Sequence, residues 1–412
     1  MKRHLLSQMR NEWRSNLWMI IELTIISIIL WFLFSCLLGL AYVRMRHYGY
    51  DMTDIYSADV RAIKKDSPLY QEYDSVHSRF TDLQLLLAGL RANPYVELVG
   101  TGSNALPYNY NYSGARLNLI EPDSTYSYYG NQRTVSPEVI KIIRLEGLNG
   151  ESTDELAAQI EQGNYIISDI DPEYIGNRTD PQYFRGKEMI FGADTSQVVK
   201  VGALAYGMRR SDYEPLYSGV IYGPIPENFL PPQMVIRVKP GMGHKFIESL
   251  TPADKQVGNV YISALKSTDS MRDVAHLDIN ILIRNFVICA VFLLIVIFLS
   301  FLGTFWFRTQ QRVGEIAVRK VNGATRGNIL SRFFGEGLAL LCVASIIAVA
   351  LDFALISLIE EYVFQALGVG TSILHIGIAV TFAVMALLII AGIWLPARKA
   401  MNVNPALALK DQ

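Results

Sequence analysis

Four long apolar runs divide the chain into lipid-like and water-like parts. Leu17 to Val43 (LWMIIELTIISIILWFLFSCLLGLAYV) carries Glu22 as its only charge, Phe286 to Phe307 carries none, Phe333 to Ile359 contains Glu336 and Asp352, and Ile373 to Leu395 is the fourth. Each exceeds the roughly 20 residues that cross about 30 Å of hydrocarbon at 1.5 Å per residue. Four transmembrane helices are therefore expected, over 17–43, 285–307, 333–359 and 373–395. Basic residues precede the first run, as they would in a secretory signal peptide. Its apolar core is far longer than the roughly 7–15 residues of such a signal, and no small-residue cleavage site follows before Tyr42-Val43-Arg44, so a retained helix is the better reading.

Between the first two runs lie residues 44–284, long enough to bury a core of their own. Ser57 to Lys65 and Tyr70 to Leu90 read as helical, the second with Leu83, Leu86, Leu87 and Leu90 at steps of three and four. Tyr95–Gly100, Tyr165–Ser168, Val198–Tyr206 and Gln233–Lys239 read as strands. In the last of these Val235, Arg237 and Lys239 face one way and Met234, Ile236 and Val238 the other. Pro240-Gly241 ends it, His244 to Leu250 is helical in pattern, and Asn259 to Ser263 is a further strand. This strand, helix, strand unit points to a mixed fold. The fold class expected is an α-helical membrane protein with four transmembrane helices plus a large mixed α/β extracytoplasmic domain.

Composition adds the orientation. Lys+Arg 37 against Asp+Glu 38 gives a formal net charge of -1, which excludes the strong positive field of a dedicated nucleic-acid binder. The charge is unevenly distributed. Residues 1–16, 308–332 and 396–412 together hold 13 basic and 3 acidic residues, whereas 360–372 holds two acids and no base. By the positive-inside rule both termini and the 308–332 connection are cytoplasmic, 360–372 is a short outer loop, and 44–284 lies outside. Residues 1–16 read as a cytoplasmic amphipathic helix and 396–412 as a cytoplasmic tail. Cys36, Cys289 and Cys342 all fall in apolar runs, where they read as packing residues.

Catalytic signals are missing from the sequence. His47, His77, His244 and His276 form no HExxH and no close metal-ligand spacing, and no G-x-S-x-G occurs. Gly186-Lys187 is followed by Glu188, so no phosphate-cradling loop is formed. The chain is read as a non-enzyme with no cofactor or metal of its own. The tyrosines of Tyr108–Tyr112 and Tyr126–Tyr129 offer a contact surface or, more simply, an edge packed on its own domain. The sequons at Asn111 and Asn177 carry no weight without a glycosylating pathway.

The connection Arg308 to Arg332 (RTQQRVGEIAVRKVNGATRGNILSR) carries the most information. Val313, Ile316, Ala317 and Val321 share one helical face and Arg312, Glu315, Arg319 and Lys320 are their polar neighbours. Gly323 reads as a left-handed stop and Thr325 as the N-cap of the next helix. On these residues, Arg312 to Thr325 resembles the signature loop of the MacB-type, FtsX-like permeases of ABC transporters. Pro396-Ala397-Arg398-Lys399-Ala400 and Asn404-Pro405-Ala406-Leu407-Ala408-Leu409 look like that family's P-A-x-x-A and P-A-x-A-L ending. The strand leading to Lys239-Pro240-Gly241 is similar to its extracytoplasmic domain, the MacB-like periplasmic core.

The resemblance implies a permease subunit in a bacterial cytoplasmic (inner) membrane. It works as a homo- or heterodimer with two copies of a separate ABC ATPase, which supplies ATP and Mg, and with a periplasmic adaptor or outer-membrane component as a further partner. Arg312, Glu315, Ile316, Arg319, Lys320, Gly323 and Thr325 are then the ATPase-docking positions. Motion of the ATPase would pass through the membrane to the large domain, for export or extraction of a substrate. The alternatives are an FtsX-like regulator of an external cell-wall hydrolase and, from another class, a membrane-anchored sensor. Membrane lipid is a partner in every case and nucleic acid in none. Glu22, Glu336 and Asp352 are costly in hydrocarbon. Glu336 reads equally as a helix or subunit contact and as a boundary residue, whereas solvation at the membrane boundary is the simpler reading for Glu22 and Asp352.

Overall fold

The computed structural model describes residues 13–74, 77–109, 113–120, 126–171, 178–227, 229–359 and 371–401. It divides into two compact units, residues 44–278 and residues 1–43 with 279–412. Among its described residues the second unit holds four helices long and apolar enough to cross a membrane, Trp13–Met45, Leu277–Gln311, Arg326–Ile359 and Thr371–Met401. These are called the first to fourth membrane helices below. A short helix, Val313–Val321, joins the second to the third. The loop expected over 360–372 and the amphipathic helix expected over 1–16 lie largely outside the described residues, as do Asn111 and Asn177.

Among its described residues the mixed α/β unit has eleven strands: β1 Ile55–Ala62, β2 Val96–Ser103, β3 Gly114–Leu119, β4 Ser127–Val135, β5 Tyr165–Ser168, β6 Glu188–Phe191, β7 Val198–Ala205, β8 Gly219–Gly223, β9 Gln233–Val238, β10 Gln256–Val257 and β11 Val260–Ser267. Their order is β10-β11-β1-β9-β2-β4-β3-β6-β7-β5-β8, and β4 also pairs with β8 in parallel, Gly130 opposite Gly219. That last pairing closes β4, β3, β6, β7, β5 and β8 into a six-stranded ring, leaving β10, β11, β1, β9 and β2 as an open antiparallel sheet. Closure removes the exposed edges that an open sheet must protect.

Each part has its own core. All six ring strands contribute to one cluster, among them Leu117, Tyr128, Ile167, Met189, Val201 and Ile221. The hydroxyl of Tyr128 donates to the Ser168 carbonyl at 2.8 Å, as a buried phenol requires. Gly219 permits this approach, because a Cβ there would collide with the Tyr128 hydroxyl. On the open sheet, the helix Arg79–Ala92 buries Leu83, Leu86, Leu87 and Leu90 against Ala58, Val60, Val99, Met234 and Ile236. Ser78 caps that helix by accepting from the Thr81 N–H. A third cluster includes Val135 and Val235 with the helices Pro137–Ile142 and Thr153–Glu161.

The strand, helix, strand unit is present as β9, the helix Gly243–Ser249 and β11, with β1 inserted between the two strands and antiparallel to both. The alternation along β9 is real, but both of its faces are buried. Ser57 to Lys65 is not helical: Ile55–Ala62 is a strand whose register shifts between Asp59 and Val60. This bulge interrupts the period of two that marks a strand in sequence. Residues 70–74 and 77–78 are not helical either. The Gln71 N–H donates to the Asn259 side chain and the Tyr73 hydroxyl to Asp82, so long-range hydrogen bonds hold this segment and the helix begins at Arg79.

One buried cation ties these layers together. Arg237, 3% exposed, donates from Nε to the Ile142 carbonyl at 2.6 Å and from its two terminal nitrogens to the Asp51 carboxylate at 3.1 Å and the Asp51 carbonyl at 3.0 Å. Partial burial alone would raise the Asp51 pKa, but hydrogen bonds from Thr53 and the Arg237 charge outweigh it and hold the carboxyl below its ordinary range. Its stabilising contribution is therefore complete above the unfolded value of about 4 and is lost as pH falls through the lower folded value. Arg237→Met should lower the stability of the α/β unit by about 3 kcal/mol at neutral pH, read as an earlier urea midpoint of the near-ultraviolet tyrosine signal in the full chain. The difference from wild type should shrink in acid; a midpoint unchanged at neutral pH would refute the role given to Arg237.

Candidate functional site

The first membrane helix is the most enclosed of the four. Met19, Leu23, Ile26, Leu30 and Leu33 pack against Ile297, Phe301 and Phe305 of the second, Phe333, Leu340 and Leu341 of the third, and Met385, Ile389 and Ile393 of the fourth. Ile316 and Ala317 of the connecting helix Val313–Val321 join this core, with Ile329 beside them. The short helix is thus fastened by its apolar face. Gly323, at φ +84°, ends it in the left-handed conformation that favours glycine, and the Thr325 hydroxyl accepts from the Asn328 N–H to start the third membrane helix.

Charges complete the attachment. Arg312, at the start of the connecting helix, donates to both oxygens of Glu336 at 3.1 and 2.9 Å. Arg332 lies 3.4 Å from Glu336 and 3.2 Å from Glu315, and Arg319 donates twice to Glu315 at 3.1 and 2.9 Å. Three arginines and two glutamates therefore form a continuous chain running from the surface to the interior, with the Glu336 side chain 6% exposed and that of Arg319 49%. For Glu315, partial burial acts to raise the pKa, but the hydrogen bond from Arg319 and the charges of Arg332, Arg319 and Arg312 hold it below the ordinary carboxylate range. Nearby, the buried Arg308 donates to the Asn16 side chain at 2.7 Å, and Lys320 Nζ donates to the Met401 carbonyl at 2.5 Å.

Of the residues singled out in the connection, Arg312, Glu315 and Arg319 are joined through Glu336 and Arg332, and Ile316 is core. Lys320 turns toward the end of the fourth helix, while Gly323 and Thr325 form the corner. Val321 does not share the buried face. It is 66% exposed and Val318 48%, so two valines stand in the open beside Arg319. Arg332, Arg308 and Asn16 were not anticipated. Arg332 had a readable signal, since it precedes Glu336 by four residues on one helix; the partners of Arg308 depend on tertiary packing. Pro396, Ala397, Arg398 and Lys399 continue the fourth helix, with Lys399 4.2 Å above the Trp306 ring, and Asn404–Leu409 lies outside the described residues.

The remaining carboxylates differ. Glu22 is half-buried on the first membrane helix, without an ion pair among the described residues. Asp352 does not have the solvated boundary position expected of it: it is 2% exposed, and its Oδ1 has no hydrogen-bond partner among the described residues. Neighbouring helices cover it, which distance along one helix could not reveal. Cys36 is buried, but Cys289 and Cys342 are exposed on the apolar helices. Tyr108 is buried and donates to Asp212 at 2.7 Å, so this tyrosine packs on its own domain. Among the described residues no cluster of His, Cys, Asp and Glu could hold a metal ion.

Within the α/β unit, the segments that lead to the first and second membrane helices meet. Arg44 Nη1 donates to the Tyr213 hydroxyl at 2.7 Å, and the His276 ring stands edge-on to Tyr213 at 5.1 Å. Arg272 is 3.3 Å from Asp212, whose carbonyl accepts from Tyr48.

No curated protein matches the chain. Among solved structures, the extracellular domain of the noncanonic ABC-type transporter YknZ from Gram-positive bacteria is similar at 12% identity and a TM-score of 0.30, over 50% of this chain and 100% of that one. Residues 287–405 match the model of the FtsX-like permease C-terminal family. That match spans most of the second membrane helix, the charge-linked connection and the third and fourth membrane helices, so this part of the chain is similar to FtsX-like permeases.

Proposed function

We propose that this chain is the permease subunit of an ABC transporter and relays the motion of a separate ATPase through its membrane helices to the α/β domain, with the Val313–Val321 helix as the docking element. The observation that carries this reading is the continuous Arg319–Glu315–Arg332–Glu336–Arg312 chain of ion pairs. A helix fastened at both its apolar and its charged faces moves with the membrane helices to which it is tied. A loosely held loop would absorb a push.

The outward side of the helix suits a protein partner. Val318 and Val321 are exposed next to Arg319, while Ile316 and Ala317 hold the opposite side. Two ATPase copies, a dimer of permease subunits, cytoplasmic termini and a large domain on the far side of an inner membrane complete the proposal; the basic bias of 308–332 supports that orientation. In the α/β domain, the joint of Arg44, Tyr213, Asp212 and Arg272 links the segments from both adjoining membrane helices, so motion of either would reach the same residues. Hydrolysis of ATP is assigned to the partner, and export or extraction of a substrate to the assembled complex.

Two outcomes test this. Val318→Asp with Val321→Asp should reduce recovery of an ATPase subunit co-purified from native membranes by about tenfold, with the thermal midpoint of the permease unchanged, because neither valine is buried. Equal recovery would remove the docking site from this helix. Glu336→Gln should keep the ATPase bound, yet abolish any effect of the permease on its turnover, since Arg312 and Arg332 lose their shared anion. A Glu336→Gln complex with wild-type regulation of ATP turnover would show that the ion-pair chain does not carry motion.

A further inference from the structure

The buried Asp352 opens onto a cavity. Its volume is ≈ 540 Å³, and it lies between the first, third and fourth membrane helices, lined by Trp31, Ala348, Val349, Thr381 and Phe382 as well as Asp352. This volume falls within the roughly 300–1,000 Å³ of small-molecule sites, which are mainly apolar with a few placed polar groups. Three of the polar groups here are already engaged: Trp31 Nε1 donates to the Leu374 carbonyl at 3.1 Å, the Thr381 hydroxyl to the Gly377 carbonyl at 2.8 Å, and Ser27 Oγ to Met385 Sδ at 3.1 Å. Among the described residues, Asp352 Oδ1 is the buried side-chain atom of this lining that has no hydrogen-bond partner.

A buried carboxyl oxygen without a donor is costly, more so among apolar helices. It calls for a cation or a strong hydrogen-bond donor, and the described residues supply none. A second copy is poorly equipped to supply one. The four apolar runs contain no Lys or Arg, and His375 is their only basic side chain. The cavity is reached past Ile346, which is 71% exposed, and Phe382, 39% exposed. Both sit on helices whose exposed surface is apolar, so an entering molecule comes from hydrocarbon.

We propose that this cavity is an intramembrane binding site for an amphiphile with an ammonium head, its alkyl chain among Val349, Ala348 and Phe382 and its nitrogen on Asp352. The site stands apart from the docking helix and does not depend on the ATPase-relay reading.

Trp31 provides the readout. In the full chain in lipid nanodiscs, with Trp13, Trp18, Trp306 and Trp394 replaced by Phe, an ω-bromoalkylamine should quench Trp31 saturably. The bromoalkyl alcohol of equal length should need about tenfold more for the same effect, and the bromoalkanoate should quench only in proportion to its partitioning. Asp352→Asn should bring the amine to the level of the alcohol, and Ala348→Phe, which fills the cavity, should remove saturable quenching by both. Amine and alcohol acting equally on the wild-type site would overturn the assignment. So would efficient oxidative crosslinking of Cys342 between copies, insensitive to the amine, because that would place a second subunit over the cavity. If Asp352→Asn does not fold, the Ala348→Phe comparison and the Cys342 crosslink still decide the matter.

Discussion

A carboxylate carried into hydrocarbon costs at least about 2.5 kcal/mol at mid-depth unless a donor meets it, and Glu336 is met by two. Arg312 grips it in bidentate fashion from the connecting helix, and Arg332 approaches from the same membrane helix one turn earlier. Because neither arginine can be deprotonated, the three groups constrain one another. The Arg312–Glu336 pair holds the start of the connecting helix to the third membrane helix, while Ile316 and Ala317 are buried along it and Gly323 turns the corner at its end. Exposed members such as Arg319 and Glu315 add little stability individually; their effect is to extend a fixed arrangement to the surface.

Asp352 lies on the same helix as Glu336 and shows the opposite solution. Glu336 has its cations within the chain, whereas Asp352 has a cavity. Four turns of one helix thus separate a satisfied carboxylate from one whose acceptor is still available. The first is suited to holding elements together and the second to receiving something from outside.

The sequence made the membrane architecture legible because hydropathy over twenty residues is a strong signal that no tertiary contact reverses. The connecting helix was legible for the same reason at smaller scale, through Ile316, Ala317, Gly323 and Thr325. What escaped was whatever depends on partners distant in the chain. The bulge at Asp59 and Val60 disguised β1. The short strands β6 and β8, four and five residues long, gave too little pattern to separate from loop. Val321 has the spacing of a buried residue yet stands exposed, because the helix ends there and its turn is not covered. Arg332 pairs with Glu315 across two helices, and Asp352 is buried by neighbours that no spacing rule identifies.

The placement of β1 in the open sheet has a consequence for biosynthesis. This strand opens the α/β domain, yet its two neighbours are β9 and β11, the latter ending at Ser267. Ring closure likewise waits for β8 to reach β4, about ninety residues earlier. Contacts so distant along the chain form slowly. For the time it takes to make and deliver some two hundred residues, β1 has neither hydrogen-bond ladder complete, and its unpaired backbone is open to wrong partners. The order of the strands thus makes the first strand of the domain the one that waits longest for its neighbours.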